Sequence, residues 1–292
     1  MKKITELLEK GFCFSVEIVP PRNGSDFEKF MKEISALKGK IDFLSVTKGA
    51  GGSLRGGSLP IAYFAQKELG VPCIAHFVCR ERTRQEIEND LADINYFGIS
   101  NILALRGDPP AGSSEQWSGD YKYAYLLMKQ INEMNNGKYL PRNNNEGEFR
   151  AGNKTDFCII AAGHPEDPVE DEIMHMKLKI QNGAEAVITQ MVFSFEEYKA
   201  YVESIGKAGI VVPVIAGIRP LVSLKQALDA ESFFKVKIGE NLKKGLEEKG
   251  REFGIAYFSD FIRKLRKYKA AGAHLFALND TSLALELIEK SK

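Results

Sequence analysis

Short apolar, β-branched runs recur along the chain at FCFSVEIV (12–19), DFLSVT (42–47), CIAHFV (73–78), NILALRG (101–107), DFCIIAA (156–162), AVITQMVF (186–193), VPVIAGI (212–218) and HLFALN (274–279). Each reads as a buried strand. Longer segments with apolar positions at helical spacing lie between them, among them SLPIAYFAQKELG, TRQEIENDLADINYFG and SFEEYKAYVESIGKAG. Many of these close on Gly, a common helix stop. Strict strand–helix alternation with right-handed crossovers permits either an open doubly wound sheet or a closed barrel. No GxGxxG follows the first run, so the dinucleotide-binding version of the open sheet lacks its fingerprint. Eight units in one undivided chain predict the α/β class and a single (β/α)8 TIM barrel, one catalytic domain over residues 1–292.

Two segments interrupt this rhythm. PRNNNEGEFRAGNK (141–154) is Gly- and Asn-rich and predicts a polar, mobile surface insertion at the face opposite the catalytic loops. RKLRKYK (263–269), in the long helical stretch before the last strand, reads as a solvated basic face.

Alternation along a strand sorts its side chains onto two faces. In the first strand Phe12, Phe14, Val16 and Ile18 form one set, and Cys13, Ser15 and Glu17 the other. The bulky set must cover itself with helices. Glu17 then enters the barrel near the C-terminal strand end, where such barrels carry their chemistry. The same reasoning brings Ser45, Thr47, His76, Arg106, Asp108 and Gln190 to that mouth. A buried carboxylate is costly unless paired or used, so the set reads as a site. Gly107 permits close approach of backbone to a ligand, and the glycines of SVTKGAGG expose N–H groups able to meet phosphate or carbonyl oxygens. Arg106 and Lys179 offer positive charge to a pyrophosphate.

Composition narrows the partners. The chain carries 40 Lys+Arg against 39 Asp+Glu, with 44% hydrophobic residues, which argues against a nucleic-acid partner or a disordered acidic tail. No apolar run is long enough for a membrane span, and MKKITELLEK is amphipathic rather than a signal peptide, so a cytoplasmic protein is expected. The four cysteines form no CxxC pair, and no metal site is expected.

Taken in order, FSVEIVPPR, DFLSVTKGAG, AHFVC, NILALRGDPP, YKYA, HPED, NGAEAVITQMVF, IAGIRP and LFALN resemble the methylenetetrahydrofolate reductase family. The resemblance implies an FAD-containing barrel that reduces 5,10-methylenetetrahydrofolate to 5-methyltetrahydrofolate with NADH or NADPH. It also implies the short form of the family, without a regulatory domain. By resemblance Glu17 is the general acid, and Asp108 the carboxylate beside flavin and pterin. Thr47, Lys48, Ala50, His76, Arg106, Gly107, Asp108, Tyr123, Ala124, His164 and Lys179 are cofactor contacts, and Gln190, Gln226 and Asp108 are substrate contacts.

The chain also departs from the family pattern. A Tyr-Pro-Glu step is contracted in AAGHPEDP. The family's Leu-Asn-Arg is Leu278-Asn279-Asp280 here, losing a cation expected near the folate tail, for which Arg219 in GIRP is a candidate replacement. The family's nicotinamide-packing phenylalanine aligns with Ala230, with Phe233 and Phe234 close by. Two other readings therefore stay open. One is a flavin subunit that takes electrons from a redox partner protein. The other is a flavin-free barrel that transfers a one-carbon group from a pterin. The electron donor and a homo-oligomeric state are not decided by sequence.

Overall fold

A computed structural model describes residues 2–48, 56–108, 118–142 and 147–292. In chain order its strands are β1 (Cys13–Ile18), β2 (Phe43–Val46), β3 (Cys73–Val78), β4 (Asn101–Leu105), β5 (Lys138–Tyr139), β6 (Arg150–Ala151), β7 (Cys158–Gly163), β8 (Ala184–Val192), β9 (Val214–Ile218) and β10 (Gly272–Leu275). The α-helices are α1 (Ile4–Leu8), α2 (Phe27–Ile34), α3 (Ser58–Leu69), α4 (Arg84–Tyr96), α5 (Ala124–Asn135), α6 (Val169–Gln181), α7 (Phe195–Lys207), α8 (Leu224–Phe234), α9 (Glu240–Lys267) and α10 (Thr281–Lys290). Eight parallel strands close in the order β1-β10-β9-β8-β7-β4-β3-β2, the arrangement of a TIM barrel. Among the described residues no helix is long and apolar enough to cross a membrane.

The helices begin where the sequence supplies caps. Thr83 and Glu86 form a reciprocal capping box at α4, while Ser194, Ser223 and Asp280 accept from backbone N–H groups at the starts of α7, α8 and α10. Gly250, at φ 49°, breaks α9 into two helical pieces. In the second piece, Arg263 and Arg266 donate to the carbonyls of Lys290 and Ser291 at the end of α10. The basic stretch thus joins two helices as well as facing solvent.

Side-chain alternation produces two cores. Phe14, Val16 and Ile18 join the large cluster between strands and helices. Cys13, Phe43, Ile74, Leu103, Cys158, Ile160, Ala186, Ile188 and Ile215 fill the barrel interior. Ile4 of α1 belongs to this inner cluster and is wholly buried. Asn101, at the start of β4, accepts from Ile4 N–H and donates to the Lys2 carbonyl, pinning α1 across the N-terminal end of the barrel.

The polar insertion is more anchored than its composition suggested. Its flanks pair as the antiparallel strands β5 and β6, and Arg150 and the Leu140 N–H both bind Glu88 on α4, each at 2.6 Å. Residues 143–146 lie outside the described residues.

Candidate active site

Above the apolar layers, the inward residues of β1, β2, β3 and β10 turn polar and form one connected chain. Ser15 Oγ lies 2.7 Å from His274 Nδ1, and His274 Nε2 lies 3.1 Å from Ser45 Oγ. Ser45 Oγ is in turn 3.2 Å from His76 Nε2, which stands 3.8 Å from Glu17 Oε2. Ser45, with one O–H donor and two lone pairs, thus bridges the two imidazoles. The serines and His274 are fully buried, and Glu17, at 13% side-chain exposure, is the outermost member.

Burial dominates the electrostatics of this chain. It lifts the Glu17 carboxyl to about 8, opposed by the positive charge of Arg219. It pushes both imidazoles down, His76 to about 3 and His274 to about 3, with the neighbouring His76 adding to the effect on His274. At neutral pH the lumen thus holds a protonated acid resting on two neutral histidines. The approach of Glu17 to His76 is a contact between uncharged groups, not an ion pair.

Other expected residues surround this mouth. Thr47 shares the inward face of β2 with Phe43 and Ser45, and its Oγ1 is buried with no hydrogen-bond partner among the described residues. Gly107, at φ 93°, lies so close to β3 that a Cβ there would stand 2.3 Å from Val78 Cγ1. Asp108 follows it, exposed on the rim. Gln190 follows inward Ile188 by two residues, in an irregularity of β8 where the register with β9 shifts between Ile188 and Met191.

Several candidates occupy other places. Arg106 is not on the lumen face: Leu103 and Leu105 pack with the inner cluster, so Arg106 falls on the opposite side with Ala104. Lys48 reaches outward, its Nζ 5.5 Å from the ring of Phe77 and 3.9 Å from Asp90. Burial and the charge of Arg82 lower its amine to about 8. Lys179 is buried and donates to the Ala162 carbonyl at 2.7 Å, with Glu172 3.9 Å away, so its charge serves an internal network. Gln226 is exposed and caps α8, its Oε1 accepting from Val222 N–H. Ala50 lies outside the described residues.

The remaining candidates sit on the lip. Tyr123 precedes Ala124 at the start of α5 and stacks on Tyr125 at 5.3 Å, with His175 of α6 5.7 Å from Tyr123. His164 follows β7 and contacts Glu166, while its N–H donates to Glu172 Oε1. That same oxygen accepts from Tyr201 Oη at 2.7 Å.

Sequence reasoning missed His274, Ser15 and Glu172 as members of these networks. For His274 a signal existed. The strand starts at Gly272, two residues earlier than its apolar run suggested, and its inward parity then falls on His274.

A family model for methylenetetrahydrofolate reductase matches residues 1–292. The chain is 28% identical over 320 residues to methylenetetrahydrofolate reductase (NADH) 1 of Arabidopsis thaliana, covering 99% of this chain and 51% of that one. It is 27% identical over 282 residues to 5,10-methylenetetrahydrofolate reductase of Salmonella typhimurium, covering 92% of this chain and 87% of that one. The chain thus spans about half the length of its plant relatives. Among solved structures, an uncharacterized protein from Clostridium thermocellum that binds two copies of 5-methyl-5,6,7,8-tetrahydrofolic acid superposes with a TM-score of 0.67, at 16% identity over 98% of both chains. At that identity the likeness speaks to the fold alone. With the match running across all of its residues, the chain belongs to the methylenetetrahydrofolate reductase family.

Proposed function

We propose that this barrel, acting as one catalytic domain over residues 1–292, reduces 5,10-methylenetetrahydrofolate to 5-methyltetrahydrofolate with FAD and a reduced nicotinamide, NADH or NADPH. The observation that carries the reading is Glu17, an acid kept protonated to about pH 8 and standing 3.8 Å from His76, the outer end of an uncharged hydrogen-bonded chain. Family membership and the activities for which the relatives are named support it.

The residues present fit a flavin. Thr47 Oγ1 is a buried polar atom without a partner among the described residues, and Gly107 lets the backbone after β4 pack against Val78 at the mouth. Thr47, His76, Gly107 and Asp108 would hold the ring system, and Tyr123, Ala124 and His164 the remainder of the molecule. Bound there, flavin would supply a hydride to a carbon electrophile after accepting one from its donor. The protein's task is to make the electrophile. The substrate holds its one-carbon unit in a five-membered ring, and protonation at N10 opens that ring to an N5 iminium. Glu17 would deliver this proton, its burial having matched its acidity to neutral pH. Asp108 would counter the charge developing on the iminium, and the amide of Gln190 would orient the pterin. Four buried, free cysteines fit a reducing, cytoplasmic setting.

One observation favours a second electron source. Ala230, aligned with the family's nicotinamide-packing phenylalanine, is only 1% exposed on the buried face of α8, so it offers no surface to a nicotinamide. A redox partner protein would then reduce the flavin. An anaerobic titration tests both readings: record the spectrum, add NADH or NADPH, then add methylenetetrahydrofolate. Bleaching by nicotinamide followed by return of colour with folate supports the main reading. Colour restored by folate only after chemical reduction supports the partner. Colourless protein with no flavin released on denaturation rejects both and favours the flavin-free transferase. Release of FMN instead of FAD would revise the assignment of the lip residues.

A further inference from the structure

Arg219 follows β9 directly and shares the inward parity of Ile215 and Gly217. Gly217 contributes no side chain to the lumen, and a Cβ there would stand 2.7 Å from the ring of Phe276. The guanidinium carbon of Arg219 lies 5.1 Å from the centre of the Phe234 ring, at the end of α8. Phe234 is itself braced edge-on by Phe233 at 4.8 Å. Nη1 is buried and has no hydrogen-bond partner among the described residues. An unsatisfied guanidinium N–H is expensive to bury, so a group that accepts from it only part of the time would explain its retention.

The charged groups around Glu17 are few. His76 on β3 and His274 on β10 are both neutral, and Ser45 on β2 is uncharged. Among the described residues, Arg219 is the cation whose field reaches Glu17, and Arg219 feels Glu17 first and Asp229 of α8 second among its charged neighbours. Once Glu17 has released its proton, the lumen must hold a carboxylate next to two uncharged imidazoles.

We propose that Arg219 is a positioning residue for the acid, held on Phe234 so that its free Nη1–H faces the Glu17 carboxylate left after proton transfer. The role rests on Glu17 as the acid of the proposed reaction. It differs from that of a cation for the folate tail, because Arg219 acts on the enzyme's own carboxyl. The proton moves from Glu17 to the substrate nitrogen, the carboxylate accepts from Nη1–H, and the next proton from solvent resets the pair.

The test compares native protein with Arg219→Gln and Arg219→Lys, following the Glu side-chain carboxyl carbons by 13C NMR over pH 4–10, with Glu17→Gln to assign the signal. Arg219→Gln is expected to move the Glu17 titration upward by about one pH unit, and Arg219→Lys to restore most of it. The folate-dependent step in Arg219→Gln should slow about tenfold while flavin reduction is unchanged. A Glu17 titration that does not move in Arg219→Gln overturns the proposal. A shifted titration in a protein that does not reduce folate at all upholds the coupling and overturns the proposed function instead.

Discussion

Asn279 and Val19 exchange two hydrogen bonds at the rim of the barrel: Val19 N–H donates to Asn279 Oδ1 at 2.8 Å, and Asn279 Nδ2 donates to the Val19 carbonyl at 2.7 Å. The side-chain amide thereby extends the contact between β1 and β10 beyond their last backbone pair, Val16 with Leu275. Asn279 achieves this at φ 67°, a conformation asparagine tolerates better than most residues. Val19 is two residues past Glu17, so the amide fixes the strand end that aims the acid. Asn279→Ala should lower stability by about 2 kcal/mol in urea unfolding and slow folate reduction more than flavin reduction. A variant with native stability and native rates would show that β1 holds its aim unaided.

Glu17→Gln should separate the two half-reactions. Flavin reduction needs no proton for folate and should change little. Reoxidation by methylenetetrahydrofolate, followed by stopped-flow absorbance, should fall by roughly 10²–10⁴-fold. Reoxidation at the native rate would remove Glu17 from the acid's role.

The raised pKa of Glu17 also predicts how stability varies with pH. A carboxyl lifted from 4.5 when unfolded to about 8 when folded favours the native state fully below pH 4.5, and this contribution drains away as pH rises through 8. Glu17→Gln abolishes the titration. Relative to native protein, the variant should therefore gain up to roughly 5 kcal/mol between pH 4.5 and 9, read from urea midpoints at each pH. Parallel stability curves would mean that Glu17 ionises in the folded state as freely as in water.

Asp280 replaces the arginine expected for the folate tail, and it has a structural role of its own. Its carboxylate accepts from Leu283 N–H at 2.9 Å and from Ser282 Oγ at 2.7 Å, capping α10. Burial alone would raise its pKa, but these hydrogen bonds and the charge of Arg251 hold it below the usual range. Asp280→Arg should therefore cost about 1 kcal/mol of stability as a lost cap while lowering the KM for folate. Asp280→Asn, which keeps the cap, should leave both nearly unchanged. A KM for monoglutamyl folate that is the same in Asp280→Arg would disconnect this position from the tail.

Strand parity carried the sequence reading a long way. Glu17, Ser45, Thr47, His76 and Gln190 each follow an apolar residue of the inner cluster by an even number of positions, which alternation alone predicts. For β4 the expected parity is wrong: an all-apolar run does not show which face is inward, and Leu103 and Leu105 occupy the inner one, which leaves Arg106 on the other. Gln226 was legible in a different sense. Ser223-Leu-Lys-Gln226 has the spacing of a capping box, so its amide had a local use before any ligand was considered. Lys179 and Glu172 could not be paired from sequence, because their meeting with Ala162 and Tyr201 depends on how α6 and α7 lie against β7. Arg219 and Glu17 likewise stand 202 positions apart and become neighbours only when the barrel closes.

Among the described residues the short helix α1 covers the N-terminal end of the barrel, with Ile4 set into the apolar floor. The chain from Glu17 through His76, Ser45 and His274 ends on fully buried Ser15, whose hydroxyl also reaches the Ala273 carbonyl at 3.5 Å. Two ligands that both need the neighbourhood of Glu17 would have to take turns at the same doorway. The acid would regain its proton only in the interval when that doorway stands clear, so the departure of one ligand and the rearming of the enzyme become a single event.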